Sequence, residues 1–249
     1  MAVLSQNTQI QKYIAKFMWI ALDWLYPPRC CNCDSRGAVL CETCFENITV
    51  LNKKVCKKCG YPITKKRQLC ENCSQKDVVF DEMRSWATYE GVLKKAIQSL
   101  KYKRNLALGP IFTMPLVNIV RQSGWLVDMV IPIPLSRARL RQRGYNQAAI
   151  ISSNLALTLG LSHTTNVVKR RKETETQVSL DVNKRFTNLM DAFYANPAKL
   201  IKRKVLLIDD VITTGATMLN CAETIKNAGA DKVYCLSVAR SILHHPKSF

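Results

Sequence analysis

The chain has 249 residues, 47% of them apolar, and its 37 Lys and Arg against 18 Asp and Glu give a formal net charge of +19. The apolar share excludes a disordered polar chain, and the length allows one sizeable core with a small module beside it. The positive charge favours polyanionic partners: nucleic acid, nucleotides, diphosphate or an anionic membrane surface.

Residues 1–26 predict an amphipathic helix, which either packs on the body of the protein or contacts a membrane surface. Their apolar, aromatic stretch is interrupted by Lys16 and Asp23 and is too short to span a bilayer. They also lack the charged start and the cleavage site of a signal peptide. We therefore expect no transmembrane segment, with peripheral attachment to the inner membrane face as the alternative to packing on the body.

Residues 27–80 contain four Cys-x-x-Cys pairs, which hold eight of the eleven cysteines. One such pair directs two sulfurs at one ion, and two pairs complete a tetrahedral zinc site. The simplest arrangement is two structural zinc sites in series, a double zinc ribbon, although an interleaved pairing stays open. The segment is too short to bury a core alone, so zinc would supply its folding energy. The predicted zinc ligands are Cys30, Cys33, Cys41 and Cys44 for one site and Cys56, Cys59, Cys70 and Cys73 for the other.

Residues 81–249 alternate between helical and strand patterns, which predicts an α/β domain with a mostly parallel sheet. The predicted helices span residues 91–102, 107–122, 144–159 and 216–228. The predicted strands span residues 129–134, 205–208 and 232–239, with weaker candidates at 166–169 and 192–195. Two polar stretches of this domain should carry chemistry. One is an arginine-rich turn between Pro134 and Gly144. The other runs from Lys169 to Asn188 and is too polar for a core and long for a loop, which is typical of lids or of disordered segments.

The stretch from Val205 to Thr217 is the most informative in the chain. Its branched apolar residues predict a buried strand, which ends at Asp209 and Asp210, and a hydroxyl-rich turn with Gly215 then leads into a helix. In an open α/β sheet, ligands bind beyond the carboxyl ends of the strands, and N–H groups at a helix N-terminus hold phosphate. The acids would face ribose hydroxyls or a metal ion, while the turn wraps a phosphate. The predicted ligand is therefore a sugar phosphate.

This stretch resembles the loop of type I phosphoribosyltransferases that binds PRPP (5-phosphoribosyl 1-diphosphate). The resemblance implies ribose contacts from the two acids, phosphate contacts from the turn, a pyrophosphate loop after the first sheet strand, and a lid over the substrate. It also implies Mg²⁺, held chiefly by substrate oxygens and water. The implied PRPP-binding residues are Leu135, Ser136, Arg137, Asp209, Asp210, Val211, Thr213, Thr214, Gly215, Ala216 and Thr217, with Arg137, Asp209 and Asp210 as catalytic candidates. The implied lid residues are Lys169, Arg170, Gln177, Arg185 and Asn188.

Four features, in this order, narrow the resemblance to the ComF family, the late-competence proteins of bacterial DNA uptake. They are the Tyr-Pro-Pro-Arg-Cys entry into the Cys-x-x-Cys pairs, the motif Leu100-Lys101-Tyr102-Lys103, the motif Arg143-Gly144-Tyr145-Asn146-Gln147, and the Asp209-Asp210 loop. The resemblance implies a cytoplasmic protein that handles incoming single-stranded DNA, with DNA-uptake proteins as further partners. Two alternatives stay open. One is a Mg²⁺-dependent phosphoribosyltransferase with an unidentified acceptor, and the other is a PRPP- or nucleotide-sensing, DNA-binding module without turnover.

Overall fold

The computed structural model describes residues 27–51, 54–63, 67–171 and 192–242. By compactness the chain divides into two units, which meet in sequence between Asn47 and Ile48. The second pair of Cys-x-x-Cys turns therefore belongs to the same unit as the α/β fold. The domain boundary predicted after residue 80 stays a prediction, and the helix predicted for residues 1–26 lies outside the described residues.

The described part of the chain contains short helices near the cysteines and an alternation of strands and helices after them. The helices are α1 (Glu42–Glu46), α2 (Glu71–Gln75), α3 (Gly91–Tyr102), α4 (Leu108–Ile111), α5 (Thr113–Gln122), α6 (Arg137–Arg143), α7 (Gln147–Leu159) and α8 (Ala216–Asn227), with a 3-10 turn at Pro197–Lys199. The strands are β1 (Glu82–Thr88), β2 (Met129–Pro132), β3 (Ser162–His163), β4 (Val168–Arg170), β5 (Phe193–Ala195), β6 (Lys204–Ile212) and β7 (Lys232–Arg240). None of the described helices combines the length and the apolarity needed to cross a membrane.

Five of these strands form one parallel sheet in the order β1, β7, β6, β2, β3. This arrangement confirms the predicted α/β fold. Strand β6 lies at the centre, and its residues Val205, Leu206, Leu207 and Ile208 are fully buried, because parallel sheets are covered on both faces. The strand does not end at the acids as predicted but continues to Ile212, which pairs with Arg240 of β7. Parallel strands direct their carboxyl ends to the same edge, so the acids lie close to the edge where ligands bind in such folds.

The weak strand candidates near residues 166 and 192 are strands, but they lie outside the main sheet. Strands β4 and β5 pair with each other in antiparallel fashion, with Arg170 opposite Phe193. Strand β1 was not predicted, because Ser85 and Thr88 interrupt its apolar pattern. Both residues are nevertheless buried, and the Oγ atoms of Ser85 and Ser237 form a hydrogen bond of 2.7 Å across the sheet.

Two helix predictions are wrong in their boundaries for identifiable reasons. The helix predicted at 107–122 is split into α4 and α5, because Pro115 has no N–H group to donate to the carbonyl of Ile111. The arginine-rich turn is the helix α6, which ends at Gly144 in a left-handed conformation with φ of 81°. The helix predicted from residue 144 therefore begins only at Gln147, where Asn146 caps it by accepting a 3.0 Å hydrogen bond from the N–H of Ala148.

Candidate functional site

The tip of β6 and the start of α8 border an open concavity of about 240 Å³. Gly215 adopts a left-handed conformation with φ of 85°, which turns the chain directly into α8. A helix leaves the N–H groups of its first turn without helical partners, and these donors suit a phosphate. The residues that line the concavity are Asp209, Val211, Ile212, Thr213, Thr214, Gly215, Ala216, Thr217 and Met218. The structure thus brings together the segment that the sequence predicted as the sugar-phosphate loop.

The two acids of the loop have different surroundings. Successive side chains of a strand point to opposite faces, and only Asp209 lines the concavity. Asp210 is 2% exposed, and its Oδ1 lies 2.7 Å from Nζ of Lys101. Its Oδ2 is buried and has no hydrogen-bond partner among the described residues. Ribose contacts from both acids stay a prediction, and the described geometry offers Asp209 more directly.

The charge state of Asp209 depends on its neighbours. Burial raises the pKa of its carboxyl group to about 7, and the adjacent charge of Asp210 adds to the rise. A 2.8 Å hydrogen bond from the N–H of Asp210 to Oδ1 of Asp209 lowers the pKa, as do the charges of Lys101 and Arg139. A ligand that donates hydroxyl hydrogen bonds to Asp209 would favour its carboxylate form. The site is therefore suited to a polyhydroxy ligand near neutral pH.

Lys101 is the site residue that the sequence analysis missed. It lies at the end of α3, in the motif Leu100-Lys101-Tyr102-Lys103, which served there only as a mark of resemblance. Its Nζ is the cation paired with Asp210, and the Lys101 side chain is 16% exposed. A lysine separated from the acids by most of the domain gives no signal in a single sequence.

The motif Arg143-Gly144-Tyr145-Asn146-Gln147 contacts the motif that contains Lys101. The hydroxyl of Tyr145 donates a hydrogen bond to the carbonyl of Leu100, next to Lys101. The guanidinium of Arg143 lies 5.1 Å from the ring centroid of Tyr102 and donates to Oε1 of Gln147 at 2.8 Å. The two motifs therefore contact each other on both sides of Lys101, at Leu100 and at Tyr102.

Of the residues predicted for the pyrophosphate loop, Leu135 and Ser136 lie between β2 and α6, and Arg137 is the first residue of α6. Leu135 and Ser136 are partly buried and Arg137 is exposed. Oγ of Ser136 accepts a 3.3 Å hydrogen bond from the N–H of Arg139, so Ser136 is the N-cap of α6. None of the three lines the concavity described above, and Arg139 is the arginine whose charge acts on Asp209. A pyrophosphate contact from Leu135, Ser136 and Arg137 stays a prediction.

Only part of the predicted lid can be located. Lys169 and Arg170 belong to β4, where Lys169 is exposed and the guanidinium of Arg170 lies 5.6 Å from the ring centroid of Phe193. The other predicted lid residues, Gln177, Arg185 and Asn188, lie outside the described residues. Lys169 and Arg170 therefore lie at the start of the predicted lid segment, and their contact with a substrate stays a prediction.

The eight cysteines of the four pairs form two groups, one in each compact unit. Within each group the four Sγ atoms lie within 4.8 Å of one another. Two neighbouring sulfurs are 3.7 Å apart in the first group and 3.6 Å apart in the second. A tetrahedral zinc ion with Zn–S bonds of about 2.3 Å requires sulfur–sulfur distances of about 3.8 Å. We call Cys30, Cys33, Cys41 and Cys44 the first tetrad and Cys56, Cys59, Cys70 and Cys73 the second tetrad.

The protonation of the second tetrad also favours a metal. Hydrogen bonds from Cys59 and Cys73 lower the pKa of Cys56, and the hydrogen bond to Cys56 raises the pKa of Cys73. Four adjacent thiols cannot all lose their protons unless a cation lies among them. A zinc ion supplies that charge, and the grouping corresponds to the arrangement of sites in series.

Comparisons with known proteins match both parts of the chain. The model of the double zinc ribbon domain matches residues 21–74, and the model of the phosphoribosyl transferase domain matches residues 118–243. Competence protein F of Haemophilus influenzae is 30% identical over 224 residues, which cover 86% of this chain and 97% of that protein.

Two further relatives span nearly the same length. DNA utilization protein YhgH of Escherichia coli is 29% identical and covers 79% of this chain and 89% of its own. Competence protein ComFC of Streptococcus pneumoniae is 27% identical and covers 84% of this chain and 90% of its own. The similarity therefore includes the cysteine-rich segment together with the α/β fold.

Proposed function

This chain belongs to the ComF family of competence proteins, which join a double zinc ribbon to a phosphoribosyltransferase domain, and from that premise we propose that it binds PRPP and acts in DNA uptake. Its partner in that role would be incoming single-stranded DNA in the cytoplasm. Two structural zinc ions would hold the cysteine-rich segment. The relatives named for competence and for DNA utilization support this role.

The observation that carries the PRPP proposal is the concavity between β6 and α8. It combines one acid, Asp209, with the turn Thr213–Thr217 at a helix N-terminus. A carboxylate accepts hydrogen bonds from ribose hydroxyls, whereas hydroxyl and N–H donors bind a terminal phosphate. A sugar phosphate presents these two chemistries side by side, and a free phosphate would leave Asp209 facing a like charge.

The residues of this site would position the substrate and stabilise the charges that develop on it, rather than react with it themselves. When PRPP loses diphosphate, positive charge develops on the sugar while the leaving group carries negative charge. Bound Mg²⁺ would neutralise the diphosphate. Asp209 would hold the ribose in position, the Lys101–Asp210 pair would support it from behind, and the arginines of α6 would face the diphosphate side. Asp209 lines the concavity, so its carboxylate oxygens suit a hydrated Mg²⁺ ion.

We expect Asp209→Asn/Asp210→Asn to lower PRPP affinity about 10- to 100-fold, because the change at Asp209 replaces a charged hydrogen-bond acceptor worth about 1.5–3 kcal/mol. The change at Asp210 adds to the loss by removing the partner of Lys101 behind the site. Isothermal titration with PRPP and Mg²⁺ measures this loss. Glu223→Gln, on α8 but outside the concavity, is the matched control and should bind normally. Wild-type affinity in the double variant, with the fold and both zinc ions retained, would remove the PRPP assignment.

A second measurement separates enzyme from sensor. The protein is incubated with PRPP, Mg²⁺ and pooled nucleobases, and released diphosphate is assayed. Release that depends on a base supports a phosphoribosyltransferase. Tight PRPP binding without release supports the sensing module, since one fold can serve either role.

A contribution of the α/β unit to DNA binding is supported by arginines placed beside exposed aromatic rings. The Arg171 guanidinium lies 4.9 Å from the ring centroid of Tyr194, which is 42% exposed, and Arg143 lies over Tyr102, which is 64% exposed. Arg139 of α6 is also close enough to Arg170 for their charges to interact. A basic path with stackable aromatic rings fits single-stranded nucleic acid of any sequence.

We expect single-stranded DNA affinity to fall steeply with salt, and Arg137→Ala/Arg139→Ala to make the logarithmic salt dependence shallower by about 2, since each lost phosphate contact removes about 1. Fluorescence anisotropy over a salt series measures both effects. Arg121→Ala, an exposed arginine on α5, is the matched control and should keep the wild-type slope. An unchanged slope in the double variant would exclude α6 from the DNA-binding surface.

A further inference from the structure

Arg240, the last residue of β7, is a buried cation without a carboxylate partner in the described part of the chain. It is 1% exposed and is the largest of the fully buried side chains. Its Nη2 donates to the weak acceptor Sδ of Met83 at 2.9 Å, while its Nε and Nη1 have no hydrogen-bond partner there. An unpaired buried charge is among the most destabilising features a fold can contain. The position therefore implies a negative charge nearby.

The second tetrad is the group that supplies this charge. The guanidinium lies 5.9 Å from the ring centroid of Tyr61. In the sequence, Tyr61 stands between the two Cys-x-x-Cys pairs of the second tetrad. Met83, whose sulfur accepts from Arg240, donates its own N–H to the carbonyl of Lys58, inside the Cys56–Cys59 turn, at 2.8 Å. The tetrad is buried in the same core as the sheet, with Cys56 and Cys59 at 0% exposure. Four thiolates around one Zn²⁺ leave a net charge of about −2, and the burial of all four cysteines leaves little of that charge open to water.

We propose that Arg240 is the counter-cation of the second zinc site, lying outside the ligand shell and holding the zinc tetrathiolate in the core of the α/β unit. The proposal explains why a guanidinium is buried at the end of a strand, beside a cluster of four cysteines. It does not depend on PRPP binding.

The thiolate charge of the first tetrad does not need a buried cation. Cys33 is exposed, and Sγ of Cys44 accepts a 3.1 Å hydrogen bond from Nδ2 of Asn32. Water and neutral donors can stabilise thiolate charge at such a site, so a buried cation is not required. Only the second tetrad combines full burial with an adjacent arginine among the described residues.

The position of Arg240 also links the second zinc site to the ligand loop. Arg240 lies opposite Ile212 in the register of β7 and β6, and the N–H of Ser241 donates to the carbonyl of Ile212 at 2.8 Å. Thr213, the first residue of the phosphate turn, follows Ile212 directly. Loss of zinc would leave Arg240 uncompensated at this sheet end, so the loop should loosen when the second site is emptied.

The test compares zinc affinities in a background that retains only the second site, made with Cys33→Ser/Cys41→Ser. In it, Arg240→Met, which keeps the bulk and removes the charge, should lower zinc affinity about 10- to 100-fold, as changes next to metal ligands do. Competition with a chromophoric chelator measures the affinity without any use of activity. Arg240→Lys should restore most of it.

Arg84→Met is the matched control. Nη1 of Arg84 also contacts the second tetrad's turn Cys56–Cys59, where it donates to the carbonyl of Lys57 at 2.8 Å. Unlike Arg240, however, Arg84 has a carboxylate partner, Glu82. This variant should keep wild-type zinc affinity. Wild-type affinity in Arg240→Met would overturn the proposal. If Arg240→Met does not fold, Arg240→Lys and Arg240→Gln replace it, and equal zinc loss in both would overturn the proposal, because charge would then be irrelevant.

Discussion

Cys59→Ser is expected to release the zinc ion of the second tetrad and to unfold the whole α/β unit. The second tetrad belongs to the core of this unit, packed with residues of the sheet such as Met83 and Ile131. A structural zinc ion contributes about 10–16 kcal/mol in small zinc modules, whereas a domain is stable by about 5–15 kcal/mol in total. Zinc stoichiometry and thermal unfolding followed by circular dichroism measure the result.

Two cysteine variants make this expectation specific. Cys235→Ser makes the same chemical change at a fully buried cysteine outside the tetrads and should cost only about 1–3 kcal/mol, with both zinc ions retained. Cys33→Ser, in the first compact unit, should lose one zinc ion and leave the unfolding of the α/β unit unchanged. A folded Cys59→Ser protein with wild-type melting would show that the second tetrad does not hold the core together.

Lys101→Met should destabilise the α/β unit by about 3–5 kcal/mol, because it leaves the buried carboxylate of Asp210 without its cation. We also expect weaker PRPP binding, since a displaced Asp210 disturbs the backbone that carries Asp209. Chemical denaturation gives the free energy of unfolding, and titration with PRPP gives the affinity. Lys95→Met, an exposed lysine on the same helix, is the matched control and should change neither quantity by much.

The double variant Lys101→Met/Asp210→Asn tests the cause. Removing the acid as well removes the unpaired charge, so the double variant should recover much of the stability lost in Lys101→Met. If the loss of stability in the double variant instead equals the sum of the losses in Lys101→Met and Asp210→Asn, the Lys101–Asp210 pair contributes little. Lys101 would then act through its packing.

The double zinc ribbon and the sheet were accessible from the sequence because their signals are local. The Cys-x-x-Cys spacing is imposed by the metal, and a buried parallel strand requires the unbroken apolar run of Val205–Ile208. The boundaries of α6 and α7 were less accessible. A sequence of four arginines indicates exposure but not helix, and only the capping contacts of Ser136 and Asn146 show where one helix stops and the next begins.

The site divides in the same way. The sequence by itself determined the order strand, acid pair, hydroxyl turn and helix, because that order is a property of adjacent residues and of the ligand they suit. Only the tertiary structure decided that Asp209 lines the concavity while Asp210 pairs with Lys101, and that Arg240 lies over the ring of Tyr61, two residues after Cys59. These pairings join residues far apart in the chain, and packing of the sheet and its helices brings them together because buried charges must find partners.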